Sequence, residues 1–345
     1  MKSMTAWLKL LVILTGVYLL SRVTPIFLPV IISIILTFIL NPMVNLLSQQ
    51  RLWPVRRKMG RGFAVIIAFI LTAVVTAVVM SFILVPFMNE FNNLVHNFPT
   101  LVRRFQRLAV SIQSQANFIA LANYLPSIID QAMSSIASFS LDLAKRIVNS
   151  VFSLASSIIE LVIVPVLSYY FLKDWQIIKE NTILLFSYNS RTRVRSIIEE
   201  IGTVVSGYIR GQFIVSLIVG FLVFCGMYSF GVEYPLVLGL LAGITEAIPI
   251  IGPIIGAIPA VLLAYTVEPL LALKIIVFYF LVQQFENHII VPNIMGQAID
   301  LHPITVILSL LIGGQLFGIA GMILAVPLSA ILKVLLKHLW EPEER

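Results

Sequence analysis

The sequence predicts an all-α polytopic membrane protein of about eight membrane segments. Three observations carry that prediction. Of 345 residues, 59% are hydrophobic and 11% charged, whereas soluble globular chains run near about 25% charged. The apolar residues gather into repeated stretches of spanning length, about 20 residues each. Two of these stretches, Pro235–Tyr265 and Pro303–Leu336, are too long for one upright crossing and are interrupted by Pro and Gly. They are expected to be broken or re-entrant. An amphipathic helical insert is expected after the third segment.

The first segment, Trp7–Leu20, has Lys2 before it and Lys9 ahead of its apolar run Leu10–Leu20, and is read as a retained span, because no small-residue cleavage site follows it. Pro25–Leu47 completes a tight hairpin, with Asn41-Pro42 near its end. The next loop holds Arg51, Arg56, Arg57, Lys58 and Arg61 without an acidic residue. A short loop so basic is expected on the cytoplasmic side, which puts the N-terminus there too. Gly62–Pro86 is the third span.

Residues 87–150 differ in character. Charges return, and Phe91, Leu94, Val95 and Phe98 recur at helical spacing. They are read as amphipathic extracytoplasmic helices. Val151–Leu172 returns inside and carries Glu160 within the span. Lys173–Arg210 is a cytoplasmic linker of mixed charge whose Ile197–Arg210 leads into the next span, Gln212–Phe230. Three regions result: a three-span unit over 1–86, the insert over 87–150, and a transmembrane unit over 151–345 containing the linker 173–210.

The net charge of +7 does not indicate nucleic acid, because the basic residues lie in loops beside spans. The single Cys225 excludes a disulfide framework. No metal-ligand spacing, phosphate loop or nucleophile–base arrangement is present, so neither an enzyme nor a cofactor is expected. Nothing supplies an ATP site.

The candidate site lies where polar groups enter apolar surroundings. Between Tyr234 and Glu268 the only charged side chain is Glu246. Pro249, Gly252 and Pro253 follow it and break the helix. Pro249 and Pro253 each lack a backbone donor and free a carbonyl one turn earlier. Ionisable groups and broken helices at membrane depth mark solute or ion paths. A second cluster, Gln283, Gln284, Glu286, Asn287 and His288, closes another apolar helix. Gln283, Glu286 and Asn287 share a face by their i, i+3, i+4 spacing. Two carboxyl groups without a basic partner suit proton exchange, and His288 could share the proton. Glu160, Asn41 and Pro42 are secondary candidates.

These residues resemble a known family. The marks are Asn41-Pro42, the run Glu246-Ala247-Ile248-Pro249-Ile250-Ile251-Gly252-Pro253, and Gln284-Phe285-Glu286-Asn287. Val291-Pro292, Met295-Gly296, Leu301-His302-Pro303, and Gly313-Gly314 through Gly318 and Gly321 to Pro327 add to them. Over nearly its whole length the chain is similar to the autoinducer-2 exporter family of bacterial inner-membrane, permease-like proteins. Members of that family carry Phe or Tyr near positions 247 and 250, where this chain has Ala and Ile.

The resemblance implies an oligomeric inner-membrane exporter of a small polar solute such as autoinducer-2, driven by a gradient, with both termini cytoplasmic. It equally admits a sodium or lithium for proton antiporter. A third reading is a membrane scaffold without flux. The expected partners are a small polar solute or a monovalent cation and proton, with membrane lipids. Gly202, Gly207, Gly211 and Gly220 allow close helix packing, either within one chain or between copies.

Overall fold

The computed structural model describes residues 24–49, 51–52, 57–115, 158–296 and 301–340. The first predicted span, 7–20, and the second half of the insert, 116–150, lie outside the described residues. Helices dominate: α1 (Thr24–Gln49), α2 (Arg61–Gln115), α3 (Ile158–Leu184), α4 (Arg191–Ser229), α5 (Pro235–Thr245), α6 (Ile251–Val267), α7 (Pro269–Phe285), α8 (Val291–Met295) and α9 (Pro303–Trp340). The one sheet among the described residues is a ribbon of two strands, β1 (Arg51–Leu52) and β2 (Arg57–Lys58), paired antiparallel with Arg51 opposite Lys58. Among the described residues, five helical stretches are long and apolar enough to cross a membrane. The chain divides into two compact units, one of Met1–Ala73 with Val151–Thr182 and the other of Val74–Ser150 with Ile183–Arg345.

In the first unit, Leu40 and Val44 of α1 pack with Ala64, Val65 and Ala68 of α2 and Leu172 of α3. The three alanine and valine positions on α2 are fully buried, and small side chains let helices approach closely in a bilayer. Polar groups at these contacts are satisfied. Ser168 donates to the Ser33 carbonyl at 3.1 Å, and Ser33 donates to the Pro29 carbonyl at 2.6 Å. Arg61 donates from Nε to the Leu172 carbonyl at 2.6 Å and from Nη2 to Asn41 Oδ1 at 3.2 Å. Asn41 thus joins α1 to α2, and Pro42 is carried inside α1 without ending it.

Several helices outrun the spans read from hydropathy. The third span continues through Pro86 and Pro99 as one helix of 55 residues. The expected amphipathic insert therefore begins as a direct extension of a span. α3 likewise runs on to Leu184, and α4 joins Ile197–Arg210 and the next span in one helix of 39 residues. Arg210 lies half-buried within it and turns its guanidinium back on Ser206, at 3.0 Å to the carbonyl and 3.2 Å to Oγ.

The second unit is built around α4, which packs on α5, α7, α8 and α9. Val215, Val219, Val223 and Met227 recur every four residues along its buried face. They meet Val237 and Leu238 of α5, Leu263 of α6 and Ile275 of α7. The α4–α5 contact is made by backbone: a Cβ on Gly220 would lie 3.0 Å from the Gly239 carbonyl oxygen. Phe91 and Leu94 of α2 belong to the same core, so the periodicity read at 91, 94 and 95 is a packing face. Just beside them Glu90 Oε2 accepts from the backbone N–H groups of Leu236 and Val237, at 2.9 and 3.1 Å. A carboxylate there satisfies two of the orphan donors at the start of α5. Glu90→Ala is expected to cost about 1 kcal/mol, read as a lower melting temperature of the purified protein, while Glu90→Gln recovers part of it.

Both long interrupted segments fold back on themselves. α5 and α6 run antiparallel around the turn at Glu246–Ile250, and Gly256 of α6 sits against Ala242 and Thr245 of α5. Ile250 turns the chain at φ 68°, a region a β-branched residue rarely occupies. α9 bends sharply at Phe317 and Gly318, the latter at φ 60°. Gly313 and Gly321 then touch through their backbones, although eight residues of straight helix would hold them about 12 Å apart. Ser309 and Ser329 bond across the same hairpin at 2.5 Å. Near its far end, Lys337 and His338 reach Glu200 of α4 at 3.0 and 3.5 Å.

Candidate functional site

Glu246 caps the C-terminal end of α5 and is 1% exposed. Its neighbours explain the turn that follows. The Ile248 N–H returns to the Thr245 carbonyl at 2.9 Å, and the Gly252 N–H to the Ile248 carbonyl at 2.8 Å. A Cβ on Gly252 would overlap the Thr245 carbonyl, so this turn closes only on glycine. Pro249 accepts from Ile251 at 2.7 Å. Pro253 stands in the first turn of α6, where a missing backbone donor costs little. The turn itself is wedged in place: Ile248 packs against Leu310 and Ala325 of the α9 hairpin.

Glu286 comes to the same place from α7 and is 7% exposed. Gln283, one turn earlier, donates from Nε2 to Glu286 Oε2 at 3.0 Å. The side chains of Glu246 and Glu286 come together as a buried carboxyl pair. Neither group has a salt-bridge partner among the described residues.

The backbone widens where Glu286 points inward. Glu286–Ile290 form one π-helical turn between α7 and α8. A π turn winds more residues per revolution than an α turn, and such bulges gather at functional sites. Glu286 and Ile290 are buried, while Asn287, His288 and Ile289 are exposed. Of the second cluster, Gln283 and Glu286 therefore face Glu246. Gln284, Asn287 and His288 lie on the outer side, where His288 Nδ1 is 2.9 Å from the Gln284 carbonyl oxygen. Glu160 falls in the first turn of α3, and its side chain lies outside the described residues. Asn41 and Pro42 belong to the other unit.

Two further residues join the carboxyl pair from α4. Gln212 donates from Nε2 to the Glu246 backbone carbonyl at 2.6 Å. Tyr208, one turn earlier, is 5% exposed and lies within electrostatic reach of Glu246. The Tyr208 hydroxyl and Glu246 Oε2 are the two buried side-chain polar atoms without a hydrogen-bond partner among the described residues. Leaving such an atom unpaired costs about 1–3 kcal/mol, so two together mark a place built for something other than packing. Other hydroxyls nearby are satisfied: Thr245 bonds the Leu241 carbonyl at 2.9 Å, and Tyr279 bonds the Gly256 carbonyl at 3.1 Å. Tyr208 and Gln212 were legible only as an i, i+4 polar pair on an otherwise apolar helix face.

Apolar helices long enough to cross a membrane, two helical hairpins and a buried carboxyl pair at a helix break define a polytopic α-helical membrane protein of transporter type. The chain belongs to the AI-2E family of transporters, whose family model matches residues 8–341. YueF of Bacillus subtilis is 30% identical over 315 residues, covering 90% of this chain and 83% of its own length. YrrI of the same organism is 28% identical over 313 residues, covering 91% and 86%. PerM of Escherichia coli K12 is 23% identical over 318 residues, covering 90% and 86%. Membership of a transporter family accords with a site that has no arrangement for covalent chemistry.

Proposed function

We propose that this protein is a proton-coupled secondary transporter that exports a small polar solute across the bacterial inner membrane without ATP. The observation that carries the reading is a buried pair of carboxyl groups, Glu246 at the turn of a helical hairpin and Glu286 at the end of α7, with no salt-bridge partner among the described residues. A proton held between two carboxyl groups can be given up when a solute arrives and taken back when it leaves. The pair thereby links solute movement to a proton gradient. Glu246, Pro249, Gly252, Pro253, Gln283 and Glu286 line the path in this reading, with Gln284, Asn287 and His288 at its outer edge.

The hairpins support that role. α5 has 11 residues and the first arm of α9 spans 303–316. Such arms are about 16 and 21 Å long, short of a hydrocarbon core of about 30 Å. They are read as re-entrant, meeting the path at depth. The basic loop around 51–61 supports a cytoplasmic loop, and with it cytoplasmic termini.

A neutral, hydroxyl-rich solute of the autoinducer-2 type fits the hydrogen-bonding groups. A second reading, sodium or lithium for proton antiport, is favoured by one observation: unpartnered carboxyl and phenol oxygens are buried here, and hard cations take oxygen ligands.

The test uses purified protein in liposomes with a pH-sensitive dye inside. Sodium, lithium or potassium is added outside, and autoinducer-2 is loaded in a parallel set. An internal pH change that follows autoinducer-2 and ignores the cations supports solute export. A change that follows sodium or lithium supports antiport. A dye signal unmoved by all of them removes proton coupling.

A further inference from the structure

Glu246 and Tyr208 each present one buried oxygen that no protein group satisfies. The two side chains come from different elements, the hairpin turn and α4. This part of α4 meets the turn, because Gln212, one turn after Tyr208, donates to the Glu246 backbone carbonyl at 2.6 Å. The demands of the two atoms differ. Glu246 Oε2 needs a donor. The phenol can donate its proton and also accept.

One kind of group answers both demands. A hydroxyl donates to Glu246 Oε2 and accepts from the Tyr208 O–H. A bare cation accepts both oxygens but leaves the phenol proton without an acceptor. An anionic group meets Glu246 with no donor to offer. A water molecule has the hydroxyl's complement and can hold the position between solutes.

We infer that Tyr208 is a specificity-determining residue of the carboxyl site, and that with Glu246 it reads one hydroxyl group of a neutral solute. The inference rests on the proposed transport path through Glu246 and Glu286, and it names what that path selects. Tyr208 touches the solute, whereas Gln212 is a positioning residue that acts through the Glu246 backbone.

The experiment measures initial rates of radiolabelled erythritol and xylitol, and of a deoxy analogue of each, in proteoliposomes with protein-free liposomes as the blank. The wild type is expected to prefer each polyol over its deoxy analogue by about 10²-fold or more, since a site built to bond a hydroxyl rejects the analogue lacking it. Tyr208→Phe is expected to bring that ratio close to one, through a raised KM for the polyol at a similar maximal rate. The variant removes an atom with no protein partner, so its melting temperature should hold. An unchanged ratio in Tyr208→Phe overturns the inference, as does a wild type that moves no polyol above the blank. Glu246→Gln run alongside separates the two levels. If it transports as well as the wild type, the carboxyl path itself is wrong; if it is inactive while Tyr208→Phe keeps its ratio, only the role of Tyr208 is.

Discussion

Glu246→Gln and Glu286→Gln are each expected to bring proton-linked flux down to the level of protein-free liposomes while leaving the fold intact. The substitution keeps the size and planarity of the side chain, and an amide can still donate to the remaining carboxyl. The contact between the two positions therefore survives. The proton that can be exchanged does not. Positioned proton-transfer groups are worth about 10²–10⁴-fold where they act, which is ample to take flux into the blank. Both variants should enter the membrane, elute as the wild type does and melt within a few degrees of it. Wild-type flux in both would remove the pair from the path. Loss in one alone would assign the proton to that carboxyl.

Gly321→Val is expected to have the largest effect on stability. A Cβ at this position would overlap the carbonyl of Gly313 on the facing arm, which is backbone and cannot swing aside. The arms of α9 would have to part, exposing Leu310 and Ala325 from their contact with Ile248. Overpacking alone costs about 1–3 kcal/mol, and opening the hairpin adds to it. A melting curve in detergent should show a marked fall, and the yield of folded protein should drop. Gly314→Ala is the control. Its Cβ would meet Met322 Cγ at 3.2 Å, and a methionine side chain is flexible enough to yield. A Gly321→Val protein as stable as Gly314→Ala would mean that the two arms do not touch.

The sequence showed where polar groups enter the apolar segments, because Glu246 and Glu286 stand out by cost alone. It also showed that Pro235–Tyr265 and Pro303–Leu336 are too long and too interrupted for single upright spans. It could not choose between a broken crossing and a hairpin, since Pro and Gly permit both. The choice is made by backbone contacts such as Gly313 with Gly321, which no local pattern announces. The face shared by Gln283, Glu286 and Asn287 followed from a 3.6-residue period, and the π turn at Glu286–Ile290 changes that period. Asn287 consequently turns outward although its spacing argued inward. Tyr208 and Gln212 passed as ordinary residues at the head of a span, because their importance lies in what a distant hairpin brings to them. The long helices were underestimated for a related reason. Hydropathy marks where a helix is apolar, while α2 and α4 continue through their polar ends.

The length of α2 has a consequence of its own. At 55 residues its path is about 80 Å, against about 40–45 Å for a whole bilayer with its headgroups. That is more helix than one crossing uses. Its attachment to the hairpin that carries Glu246 is made partway along, through Glu90 on the first turn of α5 and Phe91 and Leu94 in the core. A pull on this helix would thus reach the hairpin that carries Glu246 by leverage through these contacts.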